Sequence, residues 1–246
     1  MGVYTVQLKE THDVADGTRM FVFEKPEGYQ FSAGQYVALT VMVPEGMVVD
    51  NKGLSRSLSV ASAPCEKDIA FVMREGESSF KKICWQMRPG DVVTITKAVG
   101  FFTLEKEDVS PIVFLVGGIG ITPVRSILKQ AESEQDNRSF TLFYANRFLK
   151  DAAFQEELQE ISLPQFRLVA VLSKSPDVCA ATNDERGYIC GALVQKYVSE
   201  IASAWYYLVG SPQFSEAMEK MLIELGVPKE RCKKDPFTGI VSQSAK

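Results

Sequence analysis

Histidine is almost absent from this sequence: His12 is the only one in 246 residues. It sits in a turn-like stretch, Glu10-Thr11-His12-Asp13, and reads as a solvated loop residue rather than a catalytic base. Histidine-dependent hydrolysis and zinc chemistry therefore lack their usual residue. Cysteine is sparse as well. Cys65, Cys84, Cys179, Cys190 and Cys232 form no C-x-x-C pair and read as reduced, mostly buried thiols. Their spacing does not cluster the thiolates an iron–sulfur centre needs, so electron chemistry in this chain would run on an organic cofactor. No apolar run approaches the roughly 18–20 residues of a membrane-spanning helix. The opening Met1-Gly2-Val3-Tyr4-Thr5-Val6-Gln7-Leu8 lacks the basic start and apolar stretch of a secretory signal and reads as a strand, so a cytoplasmic location is expected. There is no excess of positive charge: the net charge of -4 argues against nucleic acid or an anionic membrane as the main partner.

What is present is ample core material, with 46% apolar and 24% charged residues, in a chain long enough for two ordinary domains. Residues 1–106 carry short alternating or β-branched runs: Val3 to Leu8, Met20 to Glu24, Tyr36 to Val43, Leu58 to Ala61, Ile69 to Arg74 and Val92 to Lys97. Turns such as Ala33-Gly34-Gln35 and Arg88-Pro89-Gly90-Asp91 separate them, and one helix is expected from about Ser79 to Met87. Many short strands at even spacing predict a small antiparallel barrel. After Asp108-Val109-Ser110-Pro111 the pattern changes. Ile112 to Val116, Phe140 to Ala145, Arg167 to Leu172 and Trp205 to Val209 are apolar runs of the kind buried on both faces. They alternate with helical patterns at Pro123 to Glu134, Ala153 to Glu160, Ala192 to Ala202 and Ser215 to Leu225, which predicts a parallel sheet of βαβ units over residues 107–246. Trp85 and Trp205 read as core residues.

The glycine-rich stretch Val116-Gly117-Gly118-Ile119-Gly120-Ile121-Thr122-Pro123 follows a buried strand and opens a helix. Glycines let backbone N–H groups approach a phosphate, and the helix start adds partial positive charge. A structural tight turn has the same composition, and only the placement favours the phosphate reading. Thr122 is placed to cap the helix or to bond a ligand. The glycines run G-G-x-G, unlike the common dinucleotide fingerprint, and the next strand ends in Asn146-Arg147 where an acidic residue would grip a ribose. The third strand ends in Ser173-Lys174. Cations at these ends suit a 2′-phosphate, and equally suit a solvated surface. In the first half, Arg56-Ser57-Leu58-Ser59 joins an arginine able to clamp a pyrophosphate to serines at alternate positions of a strand.

Taken in order, Arg56-Ser57-Leu58-Ser59, Gly76-Glu77-Ser78-Ser79, Pro89-Gly90-Asp91, Gly100-Phe101-Phe102, the Gly117–Pro123 stretch, Phe143-Tyr144-Ala145-Asn146-Arg147 and Tyr207-Leu208-Val209-Gly210-Ser211-Pro212 resemble the ferredoxin–NADP reductase family. The resemblance runs from Ala33-Gly34-Gln35-Tyr36 to Asp235-Pro236-Phe237. It implies a six-stranded FAD-binding barrel followed by a parallel-sheet NAD(P)-binding domain, with flavin in the cleft between them. Arg56 and Ser59 would hold the flavin's phosphate and ring edge, with Ser57 and Leu58 of the same motif also at the cofactor, while Met73, Arg74 and Ser78 or Ser79 would grip its pyrophosphate. Gly117, Gly118, Gly120, Thr122 and Pro123 would face the nucleotide's phosphates, and Gly210, Ser211 and Pro212 the nicotinamide. The implied activity is hydride transfer from NAD(P)H to flavin N5, aligned by Ser59 or Thr122, with electrons passed on to a ferredoxin, flavodoxin or oxygenase component. An electron-transfer subunit that needs its partner, or a nucleotide-binding module without turnover, would carry the same motifs. Three departures stand out: Leu58 replaces the family's flavin-stacking aromatic, Val209 replaces a cysteine, and the chain continues past Phe237. Phe237 either shields the flavin or packs the tail.

Overall fold

The computed structural model describes residues 2–105, 107–174 and 185–236. The first half forms β1 (Val3–Ala15), β2 (Thr18–Phe23), β3 (Tyr36–Val41), β4 (Ser55–Ser59), β5 (Ile69–Arg74), helix α1 (Ser79–Gln86) and β6 (Val92–Thr96). These six strands make one sheet in the order β4-β3-β6-β1-β2-β5, with every neighbour antiparallel. Alternation drives the pattern: in β3, Val37, Leu39 and Val41 point inward while Tyr36, Ala38 and Thr40 do not. Val6, Phe21, Phe23, Leu39, Phe71 and Ile95 form the middle of the barrel core, and α1 adds Phe80, Ile83 and Cys84. The edge strands meet just past β4, where the Ala61 N–H donates to the Ala70 carbonyl at 2.8 Å, and this closes the curl of the sheet.

The second half contributes β7 (Ile112–Gly117), α2 (Ile121–Ser133), β8 (Phe140–Asn146), α3 (Gln155–Gln159), β9 (Phe166–Leu172), β10 (Glu185–Arg186), α4 (Gly191–Tyr197), β11 (Trp205–Gly210), α5 (Pro212–Glu224) and β12 (Cys232–Pro236). Its sheet runs β10-β9-β8-β7-β11-β12, all parallel. The apolar run in β7 fills both layers: Ile112, Phe114 and Val116 pack under α2, whereas Val113 and Leu115 face the layer that holds Leu193 and Leu222. Trp85 and Trp205 are half-buried against the barrel core and the α2 layer, respectively.

Several expectations needed correction. His12 lies within β1, opposite Met20, rather than in a turn; the strand runs through two register irregularities to a turn at Asp16-Gly17, with Gly17 at φ 57°. His12 is exposed, as a solvated residue should be. The thiols are not mostly buried: Cys84 is, but Cys65 and Cys190 are exposed and Cys232 is intermediate, while Cys179 lies outside the described residues. Helix α3 begins only at Gln155 because Phe154 adopts φ 62° just before it. Helix α4 stops at Tyr197, well short of Ala202. Strands β10 and β12 were not anticipated.

The halves are tied closely. Arg125 on α2 donates to the Ala61 carbonyl at 2.8 Å and pairs with Glu66 at 3.0 Å and Glu157 at 2.7 Å. Next to it, Ser126 Oγ donates to the Ser62 carbonyl at 2.7 Å. Tyr207 Oη and Lys233 Nζ both donate to the Thr103 carbonyl. Gly34, at φ 93°, lies so near this seam that an added Cβ would fall 1.9 Å from the Phe102 carbonyl oxygen. Only glycine fits there.

Candidate active site at the seam of the two sheets

The barrel side of the cleft is built on β4 and the start of α1. Arg56 and Leu58 share one face of β4, and Ser57 and Ser59 the other. The Leu58 side chain belongs to the barrel core. Arg56 is buried, lies over the Phe80 ring at 5.2 Å, and donates through Nη1 to the carbonyls of Lys52, Gly53 and Ser55. Its Nη2 is buried without a hydrogen-bond partner among the described residues. A buried guanidinium N–H left unpaired is costly, and an anion is the partner that removes the cost.

Helix α1 is capped by Ser78, whose Oγ accepts from Lys81 N at 3.4 Å. The N–H and hydroxyl of Ser79 are engaged by Asp50: Ser79 N donates to Asp50 Oδ2 at 2.7 Å, and Asp50 N donates to Ser79 Oγ at 2.8 Å. The Ser79 N–H holds the Asp50 carboxyl below its ordinary range. Ser79 thus already has a carboxylate where the resemblance places a phosphate. The Met73 side chain is part of the barrel core. Lys81 lies across Gly76, and burial followed by the charges of Arg74 and Arg56 lowers its pKa. Three cations therefore crowd this corner.

The sheet side is built on the glycine stretch. Gly117, Gly120 and Gly210 are packing glycines: an added Cβ on Gly120 would lie 2.8 Å from the Val209 carbonyl oxygen, and one on Gly210 would lie 2.7 Å from the Phe214 ring. Their absent side chains let the ends of β7 and β11 touch. Gly118 differs. It has φ 53°, and a Cβ there would lie 2.8 Å from Nη2 of Arg74, which reaches over from the barrel. Thr122 and Pro123 are buried in the first turn of α2. Thr122 does not cap the helix, because Gly120 holds that position; its hydroxyl donates instead to the Ile119 carbonyl at 3.3 Å. Ser211 caps α5, accepting from Phe214 N at 3.2 Å, and Pro212 takes the first helical position, where its missing N–H costs nothing.

At the ends of β8 and β9, Ser173 N donates to the Asn146 carbonyl and Lys174 N donates to the Arg147 carbonyl. This sets the exposed Arg147 and Lys174 side by side. The Asn146 side chain is buried with both ends of its amide unpaired, and so is the Tyr144 hydroxyl two residues before it. Burial raises the Tyr144 phenol well above its ordinary value, opposed by the Asn146 amide and the charge of Arg74.

One functional group was missed from the sequence. Asp235, on β12, lies beside Ser59 of β4; burial raises its carboxyl to about 6, partly offset by the Ser59 hydroxyl. A lone aspartate in a Lys-Lys-Asp-Pro stretch gives no sign that its strand crosses to the barrel. Phe237 lies outside the described residues. Ser59 and Arg74 from the barrel thus meet Asp235, Gly118 and Tyr144 from the parallel sheet along one seam.

Residues 114–220 match the family model described as the oxidoreductase NAD-binding domain. The chain is 28% identical over 221 residues to the reductase component of propane 2-monooxygenase from Mycolicibacterium goodii, covering 87% of this chain and 61% of that protein. It is 26% identical over 208 residues to a flavohemoprotein of Bacillus subtilis, covering 82% of this chain and 50% of the relative. The chain therefore spans about three fifths or less of these relatives. Among solved structures, the Amycolatopsis cytochrome P450 reductase GcoB superposes with a TM-score of 0.80 at 27% identity, over 96% of this chain and 70% of that one. A ferredoxin NADP+ reductase from Neisseria gonorrhoeae, solved with bound FAD and NADP, shares the fold with a TM-score of 0.80 at 21% identity, over 95% and 98% of the two chains.

Proposed function

We propose that this chain, which is similar to ferredoxin reductase-like FAD/NAD-binding proteins, is an NAD(P)H-dependent flavin oxidoreductase that hands electrons to a separate acceptor. The observation that carries this reading is the shared seam, with Arg74 over Gly118 and Asp235 beside Ser59. Two ligands seated in the two halves would meet there. We assign residues 1–106 to flavin and residues 107–246 to the pyridine nucleotide.

The residues fit FAD. The unpaired Nη2 of Arg56 and the cations around the start of α1 suit its phosphates, with Ser78 and the Met73 backbone alongside, and Ser57 would contribute from the other face of β4, which it shares with Ser59. FAD, when bound, supplies a ring that accepts a hydride and releases electrons singly or in pairs. The protein's part is placement: holding two rings in one crevice turns a bimolecular encounter into a nearly unimolecular one. Gly118 and the first turn of α2, with Thr122 and Pro123, would receive the nucleotide's phosphates, and Gly210-Ser211-Pro212 would border the nicotinamide. Arg147, Lys174, Ser173 and Asn146 would receive a 2′-phosphate, which favours NADPH. Asp235, with its raised carboxyl pKa, can hold a proton near neutrality and pass it through the Ser59 hydroxyl.

The acceptor is proposed to be a ferredoxin, a flavodoxin or an oxygenase component, since relatives carry the name of oxygenase reductase components. Free thiols at Cys65, Cys84, Cys190 and Cys232 support a reducing, cytoplasmic setting. Among the described residues no helix is long and apolar enough to cross a membrane. The test is FAD titration followed by dye reduction with NADPH or NADH. Stoichiometric flavin binding and turnover with a dye are expected; a protein that stays colourless after incubation with FAD would end the proposal.

A further inference from the structure

Resting on the flavin and nucleotide assignment above, we propose that Arg125 is a positioning residue for the reaction: it binds neither ligand, and it fixes the distance and angle at which the two cradles face each other.

Arg125 stands in α2 three residues after Thr122 of the proposed nucleotide cradle, which is about 4.5 Å along the helix axis. Its barrel partners stand as near to the flavin side. Nη1 donates to the carbonyl of Ala61, two residues past Ser59 at the end of β4, or at most about 7 Å of chain. Nη1 and Nη2 also fork onto the two carboxylate oxygens of Glu66, at 3.0 and 3.2 Å, and Glu66 in turn accepts from the Ala63 N–H. One position along the helix, Ser126 Oγ donates to the Ser62 carbonyl at 2.7 Å. Ser62 Oγ accepts from the Ala70 N–H of β5 at 3.0 Å. Adjacent residues of α2 thus grip the exit of the strand that carries Arg56 and Ser59, and through Ser62 the start of β5.

The character of this contact matters as much as its place. Around it the seam is apolar: Ala61, Val72 and Phe102 of the barrel half share a cluster with Val124 and Ile127 of α2. Apolar burial is non-directional, so it holds the halves together without fixing their angle. The Arg125 fork is directional, and its side chain is only 7% exposed. A buried ion cluster adds little net stability over apolar packing of the same volume, and its best-attested use is to fix register. The other polar ties lie elsewhere. Tyr207 and Lys233 hold Thr103, on the segment that joins the halves, and a tie there leaves rotation about that segment free. Asp16 pairs with Lys150 in the open, where solvent weakens the attraction. Arg125 supplies a buried, forked contact away from both. Two rings react only within a narrow range of separation, and a misplacement of about 1 Å can cost about a hundredfold in rate.

The experiment compares wild type with Arg125→Met, which keeps most of the packing, Arg125→Lys, which keeps a charge without the fork, and Ser126→Ala, which removes one neighbouring bond. The measurements are FAD content after desalting, ADP-ribose affinity of the FAD-loaded protein, the limiting rate of anaerobic flavin reduction at saturating NADPH or NADH, and the long-wavelength charge-transfer absorbance of stacked flavin and nicotinamide. Arg125→Met should leave FAD content and ADP-ribose affinity unchanged, lower the limiting rate by about tenfold or more, and weaken the charge-transfer absorbance in step. Arg125→Lys should recover part of both. Ser126→Ala should lower the rate by about threefold, as one neutral hydrogen bond is lost, and it carries the test if Arg125→Met does not accumulate as folded protein. An unchanged limiting rate in the folded variants would overturn the proposal, and would leave Arg125 as a stabilising contact only. So would a fall in rate matched by lost FAD or ADP-ribose binding, which would make Arg125 part of a cradle. Wild-type protein that binds no FAD, or whose flavin neither coenzyme reduces, would instead remove the reading on which the proposal rests.

Discussion

Replacing Asp235 with asparagine should make the protein more stable at neutral and mildly alkaline pH. Burial holds the Asp235 carboxyl at about 6, against an ordinary value of 3.8. The sign follows from proton counting: between about pH 4 and pH 6 the unfolded chain has released this proton and the folded chain still holds it. Stability from this group is thus full below pH 4, falls through that window, and is lowest and flat above it. The whole gap corresponds to roughly 3 kcal/mol. Asp235 keeps some exposure, so about half of that is the reasonable expectation. For a chain of this size, about 1.5 kcal/mol moves the melting midpoint by roughly 3–6 °C. Melts of wild type and Asp235→Asn, at matched flavin content and every half unit from pH 4 to pH 8, should give curves that coincide near pH 4 and diverge above it, with the variant higher. The difference between the two curves isolates Asp235 from other carboxylates. Parallel curves, or a variant less stable at pH 8, would refute the claim that Asp235 is a buried acid beside Ser59.

Other outcomes follow from the seam and the strand ends. Arg125→Ala strands Glu66 and Glu157 and removes the bond to the Ala61 carbonyl; a loss of about 3 kcal/mol is expected by denaturant melts, with Arg125→Met losing less because it keeps the packing. Gly34→Ala should fail to accumulate as folded protein, since its Cβ would collide with the Phe102 carbonyl. Gly17→Ala, at φ 57° in open space, should cost only about 1–2 kcal/mol; equal losses at the two positions would discount the collision. If Arg147 and Lys174 bind a 2′-phosphate, converting both to alanine should reduce the NADPH-over-NADH preference by about tenfold or more in kcat/KM, and an unchanged ratio would leave them as surface charge.

The strands inside the sheets were legible from their side-chain pattern, alternating in the barrel and continuously apolar in the parallel sheet. Val37, Leu39 and Val41 announce β3, and Ile112 to Val116 announce a strand covered on both sides. What escaped notice lay at edges. The far half of β1, Glu10 to Ala15, is half-exposed and polar, so its sequence looks like a turn although it continues the hairpin with β2. β12 is Cys232-Lys233-Lys234-Asp235-Pro236, polar because it flanks the sheet; only its parallel pairing with β11 makes it a strand. The site divided in the same way. Local motifs marked Arg56, Gly118 and the start of α1, whose roles depend on neighbours in sequence. Partnerships between distant segments left no local trace: Asp50 on Ser79, Asp235 by Ser59, and Arg74 leaning over Gly118. Leu58 illustrates the limit of motif reading, since a position the family uses for flavin stacking is here a core position.

The most direct test of the central claim is single-turnover reduction: FAD-loaded protein mixed anaerobically with excess NADPH or NADH in a stopped-flow instrument, following flavin absorbance. A seam shared by both ligands predicts complete bleaching at a rate that saturates with nucleotide concentration. Bound flavin that stays oxidised with both coenzymes would contradict it.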